Sequence, residues 1–268
     1  MRAVDRQLAE QPTAGAAGSL DAEMIIGFVG SGNMARALAL GFGEPALFTD
    51  HGSGRAASLA ELVGGEAVGS NRELGERAEL VVLAHKPAQL DAVAREVGAA
   101  KAVLSLLGRV TVAQLAGAYP GAQIVRAMPN TASAIRAGVT CVCGAQLEDV
   151  EALLGRVGMV VRLEERLMDA ATAVSGVAPA YVALMAEAWI DAAVGQGIPA
   201  SQAAALVGGA LAGSAALLQA RDMDTLGVRR EVTSPGGMTA RGLRALEHAG
   251  LRSAFADAAA AVAGPSTT

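Results

Sequence analysis

The stretch Met24-Ile25-Ile26-Gly27-Phe28-Val29-Gly30-Ser31-Gly32-Asn33-Met34-Ala35 decides how the chain is read. Its first six residues form a short apolar run of the kind found in strands buried on both faces, and glycines end it. An Ala/Leu-rich pattern with helical spacing follows over residues 33–42. Strand, glycine turn and helix in that order bring backbone N–H groups and the positive end of a helix dipole to one point, where a pyrophosphate binds. The spacing Gly30-x-Gly32-x-x-Ala35 is a weak signal alone; its position directly after a strand and directly before a helix makes it a dinucleotide loop.

The same alternation continues outward from this stretch. Strands are predicted over residues 46–49, 80–84, 102–107 and 124–127, with helices over 55–63, 88–97 and 112–118 between them. Two later strands, over 139–143 and 157–163, flank a further helix. Alternating strands and helices, with strands that read as unbroken apolar runs, predict a doubly wound parallel sheet whose ligand lies at the strands' carboxyl ends. After about Asp169 the strand signal stops, and four helical patterns occupy residues 180–195, 200–220, 239–248 and 252–263. The fold class expected is therefore α/β: a Rossmann-type doubly wound parallel sheet over residues 24–168, then an all-α helical dimerisation and substrate domain over 169–263. Residues 1–23, without an apolar run, read as a flexible tail, and 264–268 as a frayed end. The alanine-rich helices carry more apolar face than one chain covers, which predicts a homodimer formed through them.

Composition narrows the function. With 268 residues, 52% hydrophobic and 18% charged, the chain has room for two modest cores and reads as a soluble globular enzyme. A net charge of −5 with only two Tyr and one Trp offers neither a basic stripe nor stacking platforms, so nucleic-acid binding is not expected. Cys141 and Cys143 lie two apart on one predicted strand, pointing to one face, which suits neither a disulfide between them nor a metal cluster. A cytoplasmic location and no metal follow. Charges, glycines or prolines interrupt each apolar run before about 18–20 residues, so no membrane span is expected.

The candidate binding residues cluster at strand ends. Asp50 would hydrogen-bond a ribose 2′-hydroxyl and favour NAD(H), whereas Ser53 and Arg55 would take a 2′-phosphate and favour NADP(H). A guanidinium and a hydroxyl suit a phosphate, so NADP(H) is preferred over NAD(H). Lys86, in Ala84-His85-Lys86-Pro87, is placed to contact ribose or phosphate, while His85 has no carboxylate partner that would make it catalytic. The Pro129-Asn130 turn after the strand at 124–127 is placed to shape a nicotinamide pocket. Far along the chain, Val232-Thr233-Ser234-Pro235-Gly236-Gly237-Met238-Thr239 lies between two helical patterns; its free N–H groups and hydroxyls suit a small carboxylate.

Several of these segments together carry a family resemblance: the glycine loop with Asn33-Met34-Ala35, Lys86-Pro87, Arg126-Ala127-Met128-Pro129-Asn130-Thr131, Asp169, Pro179-Ala180-Tyr181, and Ser234-Pro235-Gly236-Gly237-x-Thr239 followed by Gly242-Leu243 and Leu246-Glu247. From residue 24 to about 262 the chain resembles pyrroline-5-carboxylate reductase, and the Ser-Pro-Gly-Gly segment is the most specific part. The resemblance implies reduction of the cyclic imine Δ1-pyrroline-5-carboxylate to L-proline, the last step of proline biosynthesis. It also implies a Rossmann domain followed by a helical domain that interlocks in a dimer, often within a larger oligomer. Carried over by position, it assigns Gly30, Ser31, Gly32, Asn33 and Met34 to the pyrophosphate, and Ser53 and Arg55 to the 2′-phosphate region. Asn71, Ala84, His85, Lys86 and Pro87 take the rest of the cofactor. Glu165, Ser234, Gly236, Gly237 and Thr239 take the substrate, the turn being supplied by the partner subunit and Thr239 acting as the catalytic hydrogen-bonding group at the ring nitrogen.

The chain departs from the family pattern in three places. Val177 and Ala178 replace a serine and a glycine, His85 stands where valine is usual, and Arg109 stands where glycine is expected. These departures keep two alternatives open: a paralogue that binds NADP(H) without reducing the imine, and an imine reductase for another ring size. A 3-hydroxy acid dehydrogenase of similar plan needs a basic lysine in the helical half, and the only lysines are Lys86 and Lys101.

Overall fold

The computed structural model describes residues 24–263; the expected tails at 1–23 and 264–268 lie outside the described residues. Eight strands form one sheet in the order β3-β2-β1-β4-β5-β6-β7-β8. They are β1 (Ile26–Val29), β2 (Leu47–Thr49), β3 (Glu66–Ala67), β4 (Leu80–Leu83), β5 (Ala102–Ser105), β6 (Gln123–Met128), β7 (Gly138–Gly144) and β8 (Gly158–Arg162). The helices α1 (Asn33–Phe42), α2 (Arg55–Val63), α3 (Asn71–Arg77), α4 (Leu90–Val97), α5 (Val112–Ala118) and α6 (Glu148–Gly155) connect them. The order reverses at β1, between β2 and β4, and that is the switch point at which a doubly wound sheet binds its ligand.

The unbroken apolar runs are explained by burial on both faces. Phe28, on one face, stacks on Phe48 at 5.3 Å between centroids and tilts against Phe42 at 6.3 Å. Val29, Val81, Leu83 and Val103 pack on the other face with Leu115 and Tyr119. Gly27 has no side chain because a Cβ there would lie 2.6 Å from Leu74, which fills that place.

The all-parallel expectation needs one correction: β7 runs antiparallel to β6, pairing Met128 with Cys141 and Val125 with Gly144. The chain between them is a 3-10 turn, Thr131–Ile135, with no crossover helix. A parallel return takes a dozen or more residues, so this short link dictates reversal. With α6 as a crossover, β8 pairs parallel to β7. Cys141 and Cys143 are both buried and free, packed with Met168 on one face of β7.

After β8 come a 3-10 turn Glu165–Leu167, α7 (Met168–Ala171) and a π-helical segment Thr172–Gly176. The chain forms two compact units, one ending at Val177 and one beginning at Ala178. The second unit consists of α8 (Ala178–Gly195), α9 (Ala200–Gln219), α10 (Thr225–Glu231), α11 (Met238–His248) and α12 (Leu251–Ala263). The short, polar α10 makes five helices among the described residues from Ala178 onward, where four were expected.

The expectation that no apolar stretch reaches membrane length is also corrected. By length and composition, the run Glu165–Gly195 and the helix Ala200–Gln219 are long and apolar enough to cross a bilayer. Gly208, Gly209 and Gly213, read as interruptions, lie inside α9 and do not break it. In α8 and α9 only Ala203 and Val207 are buried, and Leu184 and Leu206 are 65% and 60% exposed.

Candidate active site

Gly30 sits at the end of β1 with φ +97°, and a Cβ there would stand 2.8 Å from the backbone of Ala84. The turn is braced from the side of β2, because Gly30 N donates to the Thr49 carbonyl at 3.2 Å and the Ser31 hydroxyl donates to the same oxygen at 3.0 Å. Gly32 is the N-cap of α1, no side chain caps this helix, and a Cβ on Gly32 would meet nothing within 4 Å. The first intrahelical bond is Arg36 N to Gly32 O at 2.9 Å. The amides of Asn33, Met34 and Ala35 are therefore left without an intrahelical acceptor. This is the geometry of an anion site on a helix dipole.

The neighbouring strand ends complete that edge. Asp50, just after β2, is folded into its own loop: its carboxylate accepts from Gly52 N at 2.7 Å, Ser53 Oγ at 2.9 Å and Ala56 N at 2.9 Å. The Ala56 amide foremost, with the Ser53 hydroxyl and other loop amides, holds the Asp50 carboxyl below its usual range. Ser53 thus spends its hydroxyl proton on Asp50. Asn71, at the start of α3, accepts from Thr49 Oγ1 at 2.6 Å and donates to Glu96 at 2.6 Å. After β4, Lys86 is exposed and the His85 Nδ1 lies 2.9 Å from the Lys86 carbonyl. Burial holds the His85 imidazole below its ordinary pKa, and its Nε2 is buried without a partner.

The far edge of the first unit centres on Arg126 of β6, which is 3% exposed. Its guanidinium donates to Glu165 at 3.3 Å and to Asp169 at 3.2 Å, and Glu165 also accepts from Val112 N at 2.7 Å. Glu165, predicted to face substrate, is therefore anchored by a buried cation and by the start of α5. Asn130, after β6, donates to the Ser175 carbonyl at 3.0 Å, satisfying one backbone group in the π-helical segment. Arg109 adopts φ 61°, the left-handed conformation that suits glycine, at the position where the resemblance led to the expectation of one.

In the second unit, Ser234 to Gly237 form a turn closed by Gly237 N donating to the Ser234 carbonyl at 3.0 Å. Gly236 has φ +70°, and a Cβ on Gly237 would lie 2.4 Å from the Ser234 hydroxyl. Gly237 is the N-cap of α11, and again no side chain caps the helix. The amides of Met238, Thr239 and Ala240 and the hydroxyls of Ser234 and Thr239 thus meet at one helix start.

Sequence reasoning singled out these backbone sites but missed their braces, Thr49 and Glu96. The Asp50 loop lock had a signal, since an Asp followed by Gly, Ser and a helix start is a side-chain-to-backbone capping pattern.

Residues 165–267 match the family model described as pyrroline-5-carboxylate reductase dimerisation, and residues 25–108 match that described as NADP oxidoreductase coenzyme F420-dependent. The pyrroline-5-carboxylate reductase of Thermus thermophilus is 35% identical over 250 residues, spanning 88% of this chain and 94% of the relative. The chain belongs to the pyrroline-5-carboxylate reductase family. A second member, from Synechocystis sp., is 39% identical over 197 residues, or 70% of this chain and 74% of that one. Among solved structures, the reductase from Streptococcus pyogenes superposes with a TM-score of 0.82 at 27% identity, covering 90% of this chain and 96% of the other. The Plasmodium falciparum pyrroline carboxylate reductase, solved with NADP bound, gives 0.79 at 26% identity over the same shares.

Proposed function

We propose that this chain reduces Δ1-pyrroline-5-carboxylate to L-proline with NADP(H), as a homodimer. The observation that carries the proposal is a pair of uncapped helix starts, α1 in the first unit and α11 in the second, each opening on glycine. One suits a pyrophosphate and the other a small carboxylate, which are the two anions this reaction brings together. NADP(H) fits the first: Gly30 keeps the turn tight against Ala84, Gly32 leaves room, and Arg55 stands at the N-terminus of α2 beside the Asp50 loop. The same reading assigns Ser31, Asn33 and Met34 to the pyrophosphate, Ser53 and Arg55 to the 2′-phosphate region, and Asn71 with Ala84, His85, Lys86 and Pro87 to the remaining cofactor contacts.

When bound, NADPH supplies a hydride to the imine carbon. The chain's own work is positioning. Ser234, Gly236, Gly237 and the first amides of α11 hold the substrate carboxylate, and the Thr239 hydroxyl hydrogen-bonds the ring nitrogen. A protonated imine is already electrophilic, so the site needs orientation and exclusion of water rather than a nucleophile. Hydride plus that proton converts C=N to CH–NH, leaving an oxidised cofactor and L-proline. Glu165, held by Arg126, places a fixed negative charge on the substrate side.

The exposed apolar faces of α8 and α9 are assigned to contact with a second copy rather than lipid, and the protein to the cytoplasm. The turn from the partner subunit completes the substrate site. The reading is tested with NADPH deuterated at nicotinamide C4 and the five-membered imine: proline one mass unit heavier is expected. NADPH binding with no labelled proline would instead favour a cofactor-binding paralogue, the alternative to which Arg109 and Val177 point.

A further inference from the structure

The loop after β2 and the turn after β4 touch through one pair of side chains, His51 and Gln89, whose Nε2 atoms are 3.1 Å apart. Gln89 fixes the sense of this contact. Its Oε1 accepts from the Lys86 amide at 3.2 Å, so its NH2 group is the part that faces His51. An amide NH2 only donates, so His51 Nε2 is the acceptor in this contact. Because β2 and β4 are the two neighbours of β1, the contact joins the loops on either side of the Gly30–Gly32 turn.

The rest of this edge makes His51 stand out. Asp50, which would favour a ribose hydroxyl, has its carboxylate turned into its own loop, and the Ser53 hydroxyl proton is taken by Asp50. His85 donates from Nδ1 to the Lys86 carbonyl and keeps Nε2 buried, so it has no donor to offer. His51, in contrast, is exposed and held only by Gln89 among the contacts of the described residues. The charged and titratable groups carried by the two loops and the helix starts they lead into are Asp50, Arg55, His85, Lys86 and Asp91.

We propose that His51 selects the 2′-phosphate of NADP(H), exchanging Gln89 for a phosphate oxygen as the partner of its Nε2. The inference rests on the reading of the chain as an NADP(H) enzyme. An ionised phosphate oxygen only accepts, so towards the dianion His51 Nε2 changes from acceptor to donor on binding, by taking up a proton or by changing tautomer. A protonated imidazole also meets the phosphate with opposite charge. The Gln89 contact is lost in the same event, since two donors cannot pair.

The test compares NADPH and NADH affinities, read by nucleotide fluorescence, for the wild type, His51→Gln and His51→Lys at pH 6.5 and 8. His51 is exposed, so all three proteins are expected to melt at the same temperature. The expected result is a loss of about five- to tenfold in NADPH affinity for His51→Gln with NADH unchanged. His51→Lys, which keeps a cation, is expected to retain NADPH affinity at both pH values. The phosphate's own second ionisation, with a pKa of about 6, affects all three proteins alike, so the His51 contribution is the difference between variants at each pH. An NADPH/NADH ratio unchanged in His51→Gln, or an equal loss for both nucleotides, would overturn the assignment of His51 alone. Failure of the wild type to bind NADPH would overturn the cofactor reading and this inference with it.

Discussion

Gly30 and Gly32 stand two positions apart in one turn and are glycine for different reasons. Gly30 needs a positive φ and has the Ala84 backbone 2.8 Å from where a Cβ would sit, whereas Gly32 has open space. Gly30→Ala is therefore expected to cost about 1–3 kcal/mol of stability as well as cofactor affinity. Gly32→Ala is expected to melt like the wild type and to lose affinity only, because its methyl would occupy the space a pyrophosphate needs. Thermal melts beside NADPH titrations of both variants separate the two. His85 carries a pH signature with a definite sign. Burial sets its folded pKa below the ordinary value of 6.5, so both states are neutral above that pH. As pH falls below 6.5 the unfolded chain takes up the proton first, and stability declines until the folded protein is protonated too. His85→Val, which removes the titrating group, is expected to lose less melting temperature between pH 7 and 5 than the wild type. At this scale the sequence was legible where a residue type is the chemistry, as at Gly30, and opaque where a role depends on a partner. Nothing in a single histidine says that Gln89 is its partner, or that Asp50 turns inward.

Elements were legible where they are long or carry an unbroken apolar or alanine-rich pattern, whether or not that surface is buried in the single chain. The helices Arg55–Val63 and Val112–Ala118 coincide with their expected spans, and the buried strands lie within one to three residues of theirs. The elements that went unread bury little: β3 is two exposed residues, α3 buries only Leu74 and Gly75, and α10 buries nothing. Such short polar pieces owe their structure to neighbours and caps, such as Ser70 accepting from Glu73 N and Asp224 accepting from Gly227 N. The reversal at β7 was hidden for another reason, since strand direction lies in the length of the link and not in the strand's own residues. Packing between α1 and the 3-10 turn Thr131–Ile135 makes a prediction at this scale. A Cβ on Gly41 would lie 2.2 Å from the Ser133 carbonyl, so Gly41→Ala must push the helix off that turn. A loss of about 2–3 kcal/mol is expected from urea denaturation; a stability equal to wild type would mean the helix can shift at no cost.

For the whole molecule, the second unit is the informative part, because as a single chain it leaves its two longest helices almost unburied. The alanine-rich pattern already implied more apolar face than one chain covers, and the exposure of Leu184 and Leu206 agrees with it. In the proposed dimer a second copy covers them. Leu184→Glu with Leu206→Glu is expected to move the protein from about twice 26.7 kDa to the single-chain mass in sedimentation, with far-ultraviolet circular dichroism unchanged. The same variant is expected to lose most of its turnover, because the Ser234–Thr239 turn would no longer reach a neighbour. The central claim is that the anion sites at α1 and α11 serve one hydride transfer to a five-membered cyclic imino acid. It is tested most directly by steady-state NADPH oxidation with purified protein, using the five-membered and the six-membered imino acids side by side. The expected result is saturable oxidation with the five-membered ring and much weaker oxidation with the six-membered one; NADPH that binds yet is not consumed at any concentration of the five-membered imine would contradict it.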